Sequence, residues 1–182
     1  MPINWVQTCN LQAGKPEASS IEIVESMLNF GMFEALRQRY TRILQTYPMP
    51  TIHSRYLGNL RTEQTHLASG SILITDAPID NQGKGEAFSP TDSVCAALSA
   101  CMITLMGIAS NTHQIPFEGI EAEVTKFMSA APRKIEKIEI RFWGFDQSLN
   151  DHQKKILERA ALTCPVGLSL DSDIDQAITF EF

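Results

Sequence analysis

Residues 89–110 read SPTDSVCAALSACMITLMGIAS, and this stretch, Ser89 to Ser110, decides the fold. From Val94 to Ala109 every residue is apolar or small, apart from the hydroxyls of Ser99 and Thr104. A membrane span needs about 18 or more apolar residues, so the run is too short and too hydroxyl-dotted for one. A helix that is apolar all round is the buried helix of a domain core. Its start is marked by Ser89 as cap, Pro90 at the first helical position and Asp92 where a capping box places its acid. In its middle sits Cys101, for which two readings stand: a small core residue, or a reactive thiol.

Outward from that helix, composition sets the frame. The chain has 182 residues, enough for one domain with an appendage, and 43% are hydrophobic against 20% charged. A formal net charge of −6 argues against nucleic acid or an anionic membrane as partner, because both need a basic surface. No N-terminal segment joins basic residues to an apolar run, which points to the cytoplasm. The four cysteines (Cys9, Cys95, Cys101, Cys164) form no CxxC pair and are too scattered for a disulfide scaffold or a structural zinc site. His53, His66, His113 and His152 lie at no ligand spacing from one another, so no metal is expected; an organic cofactor is not expected either.

Residues 1–50 read as a helical N-terminal appendage. A capping-box pattern at Ser19 and Glu22 opens a stripe running from Ile21 to Tyr47, and the Pro48–Pro50 segment closes it. The main domain spans 51–182. Residues 52–58, 60–67 and 71–76 are short β-leaning runs punctuated by Gly58-Asn59 and Ser69-Gly70, a three-strand meander. A polar loop from Asp76 to Phe88, loosened by Gly83 and Gly85, leads into the apolar helix. Beyond it, Ile120, Ala122 and Val124 alternate with polar residues, as do Ile138, Ile140 and Phe142, giving two half-buried strands. Residues 151–163 form an amphipathic helix, and a last strand runs near Ile174–Phe182. The order βββ-α-ββ-α-β predicts an α+β fold in which antiparallel sheet covers the central helix. One small sheet is too little cover for such a helix, which predicts an obligate homodimer.

Among residues able to carry chemistry, Cys101 lies about three turns from the helix cap, beyond the reach of the helix dipole. Burial alone raises a thiol pKa, so a reactive Cys101 needs a cation beside it. Cys164, in Thr163-Cys164-Pro165-Val166-Gly167, stands at a helix boundary because of the following proline. Cys95 falls six residues before Cys101, about 120° round the helix, and reads as core.

The pattern Pro90-x-Asp92-x-x-x-Ala96-Ala97-x-x-Ala100-Cys101 resembles the first cysteine motif of the OsmC/Ohr family, and Cys164-Pro165-Val166 resembles its second. The resemblance covers roughly residues 51–182 and leaves the first 50 unexplained. It implies a two-layer fold intertwined as a homodimer, with two sites at the subunit interface. It implies a thiol-dependent peroxidase in which Cys101 attacks an organic hydroperoxide and Cys164 resolves the sulfenic acid as a disulfide. An external dithiol, of lipoyl-protein or thioredoxin-like type, would restore both thiols. The family's arginine is best matched by Arg61, with Arg55 as runner-up. Its peroxidase branch carries a glutamate directly after the motif proline, where this chain has Thr91; Asp92 and Glu86 are the candidate replacements. Met102, Leu105 and Met106 are candidate walls for a greasy peroxide, or plain core. A rival reading is a stress-associated protein that binds a small apolar ligand at the dimer interface.

Overall fold

A computed structural model describes residues 50–182, of which Thr51–Phe182 form one compact unit. The expected appendage stripe from Ile21 to Tyr47 and Cys9 lie outside the described residues.

Strands β1 (Ile52–Gly58), β2 (Arg61–His66) and β3 (Ile72–Asp76) form an antiparallel meander in that order. Gly58 and Asn59 turn β1 into β2 in the left-handed region, with φ of 87° and 53°, as the dipeptide predicts. A loop with one 3₁₀ turn, Ile79–Asn81, leads to α1 (Pro90–His113). Then follow β4 (Glu121–Met128), β5 (Ile135–Trp143), α2 (Asp151–Leu162), the short α3 (Pro165–Ser169) and β6 (Asp175–Phe180).

The second sheet has the order β4-β5-β6, and here the sequence expectation of purely antiparallel pairing needs correction. β4 and β5 are antiparallel, but β6 lies parallel to β5. The cause is the connection. α2 and α3 carry the chain back to the end where β5 began, and a parallel pair requires such a crossover.

α1 is 24 residues long and, by length and composition alone, apolar enough to cross a membrane. Its packing against α2, α3, β4 and β5 makes it the core helix of this unit. Cys95, Leu98, Met102, Met106 and Ser110 are its buried positions, three or four apart, so one stripe faces Ile138, Ile140, Phe142 and Leu157. The opposite stripe, Ala97, Ala100, Thr104 and Ile108, is exposed among the described residues. The helix is apolar all round but covered on one side.

Its start is fixed by a reciprocal cap. The Asp92 N–H donates to Ser89 Oγ at 3.1 Å, and the Ser89 N–H donates to Asp92 Oδ2 at 2.8 Å. Lys126 of β4 adds a clamp, its ammonium donating to Asp92 Oδ1 at 2.5 Å and to Thr91 Oγ1 at 2.8 Å. Burial alone would raise the Asp92 carboxyl, but hydrogen bonds from Lys126 and Ser89 outweigh it and the net shift is downward. A lowered acid contributes stability above its ordinary value and loses it as pH falls through the lowered one. Asp92→Asn is therefore expected to cost about 1 kcal/mol at pH 7 in urea unfolding. The gap between variant and wild type should close as pH falls below the ordinary value of 3.8.

Candidate functional site

The α2–α3 junction presents the second thiol. Thr163 ends α2, Pro165 opens α3, and between them Cys164 is the cap residue of α3, only 1% exposed. Its sulfur accepts the Gly167 N–H at 3.1 Å. α1 packs on this junction, and Cys101, half-buried, lies near enough to Cys164 to raise its thiol. A Cβ added at Gly167 would stand 3.4 Å from Leu98 Cδ1 and 3.5 Å from the Cys164 sulfur, so the glycine lets α3 sit close to α1. Cys101, Cys164 and Cys95 are all free thiols.

Burial pushes the Cys164 thiol up, and hydrogen bonding and charge from Cys101 push it further; the Gly167 and Val166 amides oppose this without prevailing. Cys164 therefore rests as the protonated thiol. Cys95 is 4% exposed and its thiol is raised by burial, in keeping with a core role.

Arg61, at the start of β2, is half-buried and donates to Glu86 Oε2 at 2.7 Å. The acid that meets Arg61 is thus Glu86 of the glycine-containing loop, while Asp92 is taken up by the helix cap and Lys126. Arg55 on β1 pairs with Glu63 at 2.9 Å, directly across the β1–β2 ladder. Arg61 and Glu86 belong to β2 and the loop before α1, whereas Cys101 and Cys164 belong to α1 and the α2–α3 junction. Met102 and Met106 are plain core, 2% and 0% exposed, and do not wall an open cavity. A cleft of about 650 Å³ instead opens on the Cys95 side of α1, lined by Phe88, Cys95, Ala96, Val124 and Lys126 among others.

Two residues that shape these clusters carry weak sequence signals. Lys126 interrupts the inward apolar series Ala122, Val124, Met128 on β4, a visible irregularity. Asp76 ends the apolar run Ile72-Leu73-Ile74-Thr75 and reads as the first loop residue, yet it is fully buried, with Oδ2 accepting the Glu86 N–H at 3.0 Å.

Residues 83–179, spanning both thiols and the helix between the sheets, match the OsmC-like protein family. This chain belongs to the OsmC-like family. A candidate osmotic stress induced and detoxification response protein from Psychrobacter arcticus 273-4 is 46% identical, with a TM-score of 0.71, over 74% of this chain and 98% of that one. The OsmC-like protein from Mycoplasma pneumoniae is 13% identical at a TM-score of 0.62, over 74% of this chain and 96% of its own. An organic hydroperoxide resistance protein OsmC from Legionella pneumophila is 16% identical at a TM-score of 0.54, over 75% and 100% respectively. These last two share the fold alone. No curated protein matches. In this OsmC-like chain Cys101 stands on the central helix and Cys164 on the α2–α3 junction that packs against it.

Alkylation with iodoacetamide, mapped by mass spectrometry, should label Cys164 after Cys101. Its labelling should rise only above the ordinary thiol value of 9.0, because the folded thiol is raised. Cys101→Ser removes one of the groups that raise it, and should move that onset to lower pH.

Proposed function

We propose that this OsmC-like protein is a thiol-dependent peroxidase for organic hydroperoxides, an activity in the spirit of its structural neighbours' names. The observation that carries the reading is that Cys101 on α1 and Cys164 on the α2–α3 junction, far apart in sequence, lie near enough for one thiol to raise the other. The Cys101 thiolate attacks the terminal oxygen of the hydroperoxide; the O–O bond breaks, and the departing alkoxide takes up a proton as an alcohol. Sulfur is oxidised to a sulfenic acid and the peroxide is reduced. Cys164, waiting as a thiol, condenses with the sulfenic acid, forming an S–S bond and releasing water. An external dithiol of lipoyl or thioredoxin-like type then exchanges with the disulfide and is itself oxidised. A reducing, cytoplasmic setting suits this cycle, since both thiols must be free at its start.

The reading includes a homodimer, in which the Arg61–Glu86 pair of one copy serves the thiols of the other. Two features support it. The β1–β3 sheet packs chiefly on itself among the described residues, leaving Ile52, Tyr56, Leu60 and Ile72 exposed, and the Ala97–Ile108 stripe of α1 is open. A guanidinium brought beside Cys101 stabilises the thiolate against the cost of burial.

The rival reading, a carrier of a small apolar ligand, is favoured by the cleft beside Phe88, Cys95 and Val124. One experiment separates the two. Protein titrated with cumene hydroperoxide should yield a Cys101–Cys164 disulfide by mass spectrometry and turn over many equivalents with dithiol. Cys101→Ser should abolish consumption, and Cys164→Ser should leave a sulfenic acid that dimedone traps. Both thiols staying reduced while peroxide persists sinks the enzymatic reading.

A further inference from the structure

Asp76 is the only charged side chain among the described residues that is fully buried. Its two oxygens have unequal fates: Oδ2 accepts the Glu86 N–H at 3.0 Å, whereas Oδ1 is buried with no hydrogen-bond partner among the described residues. An orphaned anionic oxygen destabilises a fold, so its presence calls for an explanation. Arg61 supplies one. Arg61 and Asp76 are directly opposite on antiparallel β2 and β3, so their side chains leave the sheet on the same face. The Arg61 guanidinium meanwhile sits on Glu86, whose backbone Asp76 holds. Strand pairing, amide bond and ion pair thus close a ring of three residues.

We propose that Asp76 is a positioning residue for Arg61, fixing the exposed Glu86 seat with one oxygen and offering the guanidinium a second, buried seat with the other. As a role in catalysis this rests on the peroxidase reading. It explains why a carboxylate rather than an amide occupies the end of β3: an amide could hold the Glu86 N–H equally well, but could not receive a cation at its other end.

The test uses Asp76→Asn, Arg61→Gln and their combination in the full chain. Asp76→Asn keeps an oxygen for the Glu86 amide and removes the orphaned anion, so its melting temperature should equal or exceed that of wild type. Its kcat/KM for cumene hydroperoxide should nonetheless fall about tenfold, the scale of a displaced catalytic group. In the Arg61→Gln background the same change should cost nothing further, because Asp76 acts through Arg61. The Arg61 Nε–Hε resonance in ¹⁵N NMR should shift in Asp76→Asn. In Glu86→Ala, a substitution at a half-exposed side chain, it should move yet stay distinct from free arginine as the guanidinium takes the buried seat. An unchanged rate in Asp76→Asn, a further loss in the double variant, or a free-arginine signal in Glu86→Ala overturns the proposal. A wild type that consumes no hydroperoxide fails the peroxidase reading instead, and the Arg61 resonances then decide the seat by themselves.

Discussion

The contact between α1 and the α2–α3 junction sets the chemistry this chain can do. α1 offers a thiol more than ten residues from its cap, where the helix dipole contributes nothing. The junction offers another because a proline stops α2 and leaves Cys164 capping the next turn. Neither element would bring one thiol near the other without the stripe of Leu98, Met102 and Met106 packing against Leu157 and Ala161. Dense packing leaves little play in that distance, since interiors transmit strain instead of absorbing it. The nearness of the two thiols is a product of core packing.

Much of this was readable from residue order. Turn dipeptides placed the first three strands and alternation placed β4 and β5, each to within a few residues, and the Ser89-Pro90-Asp92 signature located the first turn of α1. Hydrophobic periodicity reports which face of an element is covered, but not its direction in a sheet. That is why the parallel pairing of β6 with β5 was invisible. The thiol pairing came through family resemblance, because spacing alone cannot say which helix faces which junction. The partner of Arg61 was also beyond the sequence. Glu86 is 25 residues away and meets it only because Asp76 holds the loop by a backbone bond, which leaves no mark on side-chain pattern.

The departure at Thr91 gains meaning from the same geometry. Thr91 and Asp92 face Lys126, so the head of α1 is tied to β4. The loop before the helix provides the carboxylate that accompanies Arg61. Glu86, on the other side of the Ser89 cap from Thr91, reaches the Arg61 guanidinium while Asp76 holds its backbone. A short motif records where a residue stands in the chain; the site depends on where its oxygens arrive.

The β1–β3 meander has its own corollary. Three strands with apolar side chains in the open and, among the described residues, an unpaired outer edge on β1 do not make a free-standing folding unit. Whatever shields them comes from beyond the described residues. Until that shield arrives on a newly made chain, Ile52, Tyr56 and Ile72 form a sticky ladder open to any passing strand. The outer edge of β1 is therefore where this fold is most vulnerable to clumping during synthesis, well away from the sulfurs.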